Sequence, residues 1–92
     1  MNQTSLNCTA VIRNKRGLHA RAAAEFVKVV SGFDAHISVS RGGQTVSGLS
    51  IMGLMMLAAG PGCELQLTAE GAEAKAALAA VRAVIEAKFE ED

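Results

Sequence analysis

A chain of 92 residues, half of them hydrophobic, is long enough for one small domain over 1–92 with one core, and too apolar to be disordered. Without tryptophan or tyrosine, and with three phenylalanines, that core must be aliphatic and alanine-rich. A formal net charge of zero argues against a dedicated nucleic-acid binder.

Further classes fall away. No stretch approaches the ~20 apolar residues of a membrane span, so no membrane insertion is expected. Residues 1–12 have neither the basic start nor the long apolar run of a secretory leader. Cys8 and Cys63 have no metal-ligand spacing, and two cysteines make no disulfide framework. Their parity with core positions reads as two buried thiols. The expectation is a cytoplasmic protein with reduced thiols, no metal and no cofactor.

Leu6, Cys8, Ala10 and Ile12 alternate with Asn7, Thr9 and Val11, which predicts a strand with one buried face. Asn14-Lys15-Arg16-Gly17 is a polar turn. From Ala20 the period changes: Ala23, Phe26, Val27 and Val30 share one face of a helix that Ser31-Gly32 stops. Arg21 and Glu25 lie one turn apart, where an ion pair would help hold this helix. Ala35, Ile37 and Val39 alternate in a second strand. Arg41-Gly42-Gly43-Gln44 signals a hairpin, with a return strand from Gln44 to Ser47.

Leu49 to Ala59 is apolar and uncharged. It reads as a short helix with Ser50 at its cap or first turn and Gly60-Pro61-Gly62 as its stop. Gly53 inside it costs roughly 1 kcal/mol relative to alanine. Cys63, Leu65, Leu67 and Ala69 alternate in a fourth strand. After Gly71, an apolar stripe of Ala74, Leu78, Val81, Ile85 and Phe89 predicts the longest helix. The order β-α-β-β-α-β-α suggests an antiparallel sheet with helices over its inner face. Asn7, Thr9, His36, Ser38, Gln66 and Thr68 would then form a polar outer face, with His36 facing solvent.

Charge is uneven. Arg13, Lys15, Arg16, Arg21 and Lys28 surround His19 with Glu25 as the sole acid before residue 31, whereas the tail from Glu64 is acidic. The plain reading is a solvated basic edge; the functional reading is a surface that welcomes phosphate or an acidic partner. His19 sits where the first strand gives way to the first helix. A helix start presents unpaired N–H groups and the positive end of the dipole, a ready-made anion site. A neutral imidazole there is a nucleophile beside an oxyanion pocket. His19 is therefore the candidate phosphoryl acceptor, with the backbone N–H groups of Ala20 and Arg21 and the Arg21 guanidinium as phosphate donors. Lys15 and Arg16 are candidates to steer an acidic partner, and equally ordinary turn residues. Met52, Met55 and Met56 are too many apolar residues, with Leu54, for one short helix to bury; some are candidates for a docking patch. Otherwise no long apolar face is left over, and a monomer is the default.

Gly17-Leu18-His19-Ala20-Arg21, followed later by Ser50-Ile51-Met52-Gly53, resembles the HPr family, the small histidine phosphocarriers of the bacterial phosphoenolpyruvate-dependent phosphotransferase system. The likeness spans nearly the whole chain. It implies an α+β open-faced sandwich, a four-stranded sheet covered on one side by three helices. It implies that His19 takes phosphate on Nδ1 from enzyme I and gives it to enzyme IIA domains, without turnover of its own. It implies a regulatory Ser50 for a serine kinase/phosphorylase, and favours Ile51, Met52 and Met55, near the start of their helix, as docking residues. The family usually has proline where this chain has Ala22, so a less fixed helix start is expected here. A carrier of the nitrogen-related branch would look much the same. Two readings of other kinds compete: a hydrolytic or metal-dependent enzyme joining His19 to His36 or a cysteine, and a phosphorylation-independent binding module.

Overall fold

The computed structural model describes residues 5–90. Its elements are β1 (Ser5–Val11), α1 (Ala20–Val30), β2 (His36–Arg41), β3 (Gln44–Ser47), α2 (Ile51–Met56), β4 (Glu64–Glu70) and α3 (Ala74–Glu86), then a single turn at Lys88–Glu90. The strands form one antiparallel sheet in the order β1-β4-β2-β3.

Register explains the two faces. Cys8 lies opposite Leu67, which lies opposite Val39, and Leu6, Ala69 and Ile37 form the neighbouring row. These rows face inward beneath the helices. Phe26 and Val30 of α1, Leu54 of α2, and Val81 and Ile85 of α3 are all buried in one core with Ile37, Val39, Leu65 and Leu67. The rows between them are polar: Asn7, Thr68 and Ser38 in one, Thr9, Gln66 and Ser40 in the next. Thr68 donates to Asn7 Oδ1 at 3.0 Å, and the Ser40 and Thr45 hydroxyls are 2.7 Å apart. The open-faced sandwich read from the alternation is the observed fold, and His36 is exposed on its outer face.

Four expectations need correction. The stripe through Phe89 does not stay helical. α3 ends at Glu86, and Lys88, Phe89 and Glu90 take positive φ of 60°, 53° and 59°. Phe89 is buried all the same; the stripe recorded where the ring goes, not the handedness of the backbone. The apolar run 49–59 yields a helix only over Ile51–Met56, because Ala58 turns left-handed at φ 53°. Arg21 and Glu25 form no ion pair among the described residues, whereas Arg82 and Glu86 do, at 3.1 Å. Both pairs run from cation to acid, but Arg21 sits in the first turn of its helix, at the positive end of the dipole, whereas Arg82 lies well inside α3. Cys8 and Cys63 are free thiols but only half-buried.

Among the described residues no helix is long and apolar enough to cross a membrane.

Candidate functional site

His19 is the N-cap of α1. Its backbone is extended (φ −79°, ψ 179°), and its Nδ1 accepts the Arg21 N–H at 3.3 Å. The first intrahelical bond runs from the Ala23 N–H to the His19 carbonyl at 2.8 Å. The N–H groups of Ala20, Arg21 and Ala22 therefore precede any intrahelical acceptor, and the Arg21 N–H is the one bonded to Nδ1. Because Nδ1 accepts, the neutral ring carries its proton on Nε2, an assignment made from the bonding pattern. The atom holding the lone pair is thus the one nearest the helix start.

The loop before the histidine is built to place it. Buried Asn14 donates Nδ2 to the Gly17 carbonyl at 2.8 Å, and the Gly17 N–H returns to the Asn14 carbonyl at 3.2 Å. Gly17 has φ +67°, and a Cβ there would lie 2.3 Å from the Ala59 carbonyl oxygen. The same oxygen accepts the Leu18 N–H at 2.9 Å, while the Leu18 side chain is buried in the core. His19 follows directly and is half-buried. Arg21, Lys15 and Arg16 are exposed.

Ser50 caps α2 in the same manner. Its Oγ accepts the Gly53 N–H at 2.9 Å. A Cβ on Gly53 would stand 2.9 Å from that Oγ and 3.0 Å from Val46 Cβ, so the glycine the sequence made look costly is what lets the cap close. α2 packs beside α1. Leu54 is fully buried, while Leu49 (52% exposed), Ile51 (40%), Met52 (70%), Met55 (39%) and Met56 (65%) are left in solvent. The surplus of apolar residues expected on this helix is therefore exposed, and Leu49 and Ile51 join the methionines in it.

The groups named for a hydrolytic reading do not meet. His36 opens β2 on the outer sheet face, and Cys8 packs partly against the core on the inner one. Among the described residues no three His, Cys, Asp or Glu side chains gather closely enough to hold a metal ion. Sequence reasoning missed Asn14 and Ala59, which hold the histidine loop. An asparagine opening a turn that ends in glycine is a recognisable signal; the contact of Ala59 with Leu18 spans too much chain to leave one.

Ala22 is the third residue of α1 and fully buried. Its N–H lies ahead of the first helical acceptor, so proline there would remove no helical bond and would restrict the unfolded chain. Ala22→Pro is expected to raise stability by about 0.5–1 kcal/mol in urea denaturation.

Comparison with known proteins points one way. The family model described as the PTS HPr component phosphorylation site matches residues 6–87. Phosphocarrier protein NPr of Shewanella violacea is 43% identical over 88 residues, covering 96% of this chain and 97% of that protein. Phosphocarrier protein HPr of Treponema pallidum is 44% identical over 84 residues, covering 91% and 96%. The crystal structure of an HPr from Thermoanaerobacter tengcongensis superposes with a TM-score of 0.90 at 41% identity, covering 95% of this chain and 98% of that one.

Proposed function

This chain belongs to the HPr family, the phosphocarriers of the phosphotransferase system, and from that premise we propose that His19 Nδ1 accepts a phosphoryl group from enzyme I and passes it to enzyme IIA domains. The observation that carries the reading is the cap itself: Nδ1 holds its lone pair 3.3 Å from the Arg21 N–H at the start of α1.

The transfer follows from that geometry. The Nδ1 lone pair attacks phosphorus, the Nδ1–P bond forms, and the bond to the donor atom breaks with its electron pair leaving on the donor. Nδ1 can then no longer accept a hydrogen bond. The Arg21 N–H is released to a phosphoryl oxygen, joined by the N–H of Ala20. The dianion sits at the positive end of the helix dipole, where charge-assisted bonds from backbone and guanidinium are strong. The side chain of Arg21 is exposed and makes no hydrogen bond to the described residues, so it swings onto the phosphate without breaking a contact. One set of donors thus orients the free imidazole and then holds the product. Because the same groups hold the phosphate in both directions of transfer, the protein acts as a carrier without turnover of its own, and the family places such carriers in the cytoplasm.

Ile51, Met52 and Met55 form the apolar part of the partner-docking surface, with Lys15 and Arg16 as its basic rim. Ser50 is the regulatory position. A phosphate added there by a serine kinase/phosphorylase is tolerated by the α2 start but places a dianion beside that apolar surface. Ser50→Asp is accordingly expected to raise the KM for enzyme I about tenfold. Ser50→Ala should leave KM unchanged and cost about 1 kcal/mol of stability through the lost cap. Kinase-dependent phosphate in Ser50→Ala would remove Ser50 from the account.

A second reading keeps this chemistry and directs it to a nitrogen-related branch. The NPr name of the Shewanella relative supports it.

The test is intact mass after incubation with phosphoenolpyruvate and enzyme I. One acid-labile, alkali-stable phosphoryl group is expected on the wild type, followed by its discharge to IIA domains; a panel of sugar and nitrogen-related IIA domains selects the branch. No uptake from any active donor would leave a binding module on the same fold.

A further inference from the structure

We infer that Arg41, at the β2–β3 hairpin, is a positioning residue for the phosphorylation site, acting through the backbone of residues 57–60. The inference rests on the reading of His19 as the acceptor and extends it to a residue in another part of the chain.

The bonds run in an unbroken series. Arg41 Nη1 donates to the Leu57 carbonyl at 2.8 Å and points to the Ala58 carbonyl at 3.4 Å. These are carbonyls that the end of α2 leaves without helical partners, at the negative end of its dipole. Ala58 is held left-handed at φ 53°, a conformation that disfavours any residue with a Cβ. No glycine makes this reversal favourable, so surrounding contacts must hold it: the Ala58 N–H bonds to the Met55 carbonyl at 3.0 Å, Leu57 and Ala59 are buried on either side, and the guanidinium is the side-chain donor that reaches the segment from another element. The reversal sets the direction of the next carbonyl. That carbonyl, of buried Ala59, accepts the Leu18 N–H at 2.9 Å and fills the place a side chain on Gly17 would occupy. The residue after Leu18 is His19.

The far end of the segment is fixed independently. The Gly62 N–H bonds to the Ile12 carbonyl at 2.8 Å, and the Ile12 N–H bonds to the Cys63 carbonyl at 2.9 Å. Residues 57–60 are thus a strap tied to the continuation of β1 at one end and to Arg41 at the other, lying against the loop that carries the histidine. Arg41 is otherwise an exposed hairpin residue outside the core.

Arg41→Met tests the inference, with Arg41→Lys as the conservative variant and Arg82→Met, which breaks an exposed ion pair on α3, as the control. In the unphosphorylated protein, Arg41→Met should speed hydrogen exchange of the Leu18 amide about tenfold, the effect of losing one charge-assisted bond. It should also shift the Arg21 amide and the His19 ring nitrogens. Arg41→Lys should restore part of each change, and Arg82→Met should move none. In transfer from enzyme I, Arg41→Met should lower kcat several-fold with KM unchanged. Unaltered Leu18 exchange and His19 shifts in Arg41→Met would overturn the inference, and so would a raised KM with unchanged kcat, which marks a docking residue instead. The exchange and shift measurements need no phosphate donor. If phosphorylation of His19 fails in the wild type, they still decide whether Arg41 positions the loop.

Discussion

Gly17→Ala should destabilise the protein by about 2–3 kcal/mol in denaturant titration and displace the histidine loop in whatever remains folded. Two penalties combine. The first is conformational: φ is +67°, where a Cβ costs about 1 kcal/mol. The second is steric. The new methyl would sit 2.3 Å from the Ala59 oxygen and 2.9 Å from Gly60 Cα, both backbone atoms with no rotamer to escape into. Relief requires moving the strap away, which breaks the Leu18 N–H···Ala59 bond and forfeits about 1 kcal/mol more. Set against a typical net stability of ~5–15 kcal/mol, such a loss is large. A cost below 1 kcal/mol would mean that the close approach of strap and loop is not a feature of the folded protein.

His19→Asn should separate the two roles of the histidine. Asparagine is among the best N-cap residues, and its side-chain oxygen can take the Arg21 N–H that Nδ1 now accepts. Stability should hold or rise by a few tenths of a kcal/mol. Phosphoryl uptake should vanish completely, since an amide oxygen at this site is not a nucleophile for transfer. His19→Ala should lose uptake equally and also about 0.5–1 kcal/mol of stability with the cap. Paired thermal melts and transfer assays check both. Residual uptake in His19→Asn would mean that another group is the acceptor.

Much of this was legible in the chain because two periodicities carry it. Strict alternation gave the strands, and in an antiparallel sheet alternation also fixes which residues face the helices; Cys8, Leu67 and Val39 align in one inward row. The change of period after His19 placed the start of α1 at Ala20, where it is observed, and so placed the candidate nucleophile on a helix N-terminus. The motif likeness to HPr holds over residues 6–87. What escaped has common physical causes. Helix ends at Met56 and Glu86 are set by left-handed turns at Ala58 and at Lys88–Glu90, made without glycine and therefore without a signal. The surplus apolar residues of α2 were visible as a count, but the particular residues left in solvent depend on where α1 and β3 cover that helix. The support of the histidine loop by Asn14, Ala59 and Arg41 comes from backbone carbonyls and a distant guanidinium, which pattern reading does not weigh.

The central claim is that one helix start first orients the free Nδ1 and then holds the phosphate bonded to it. Nitrogen-15 and phosphorus-31 NMR of the protein before and after phosphorylation by enzyme I tests it most directly. The account predicts phosphorus coupled to Nδ1 of His19, with the Arg21 and Ala20 amides moving sharply downfield as they bond to phosphoryl oxygens. Phosphorus on Nε2, or a phosphohistidine that leaves the Arg21 amide where it was, would contradict it.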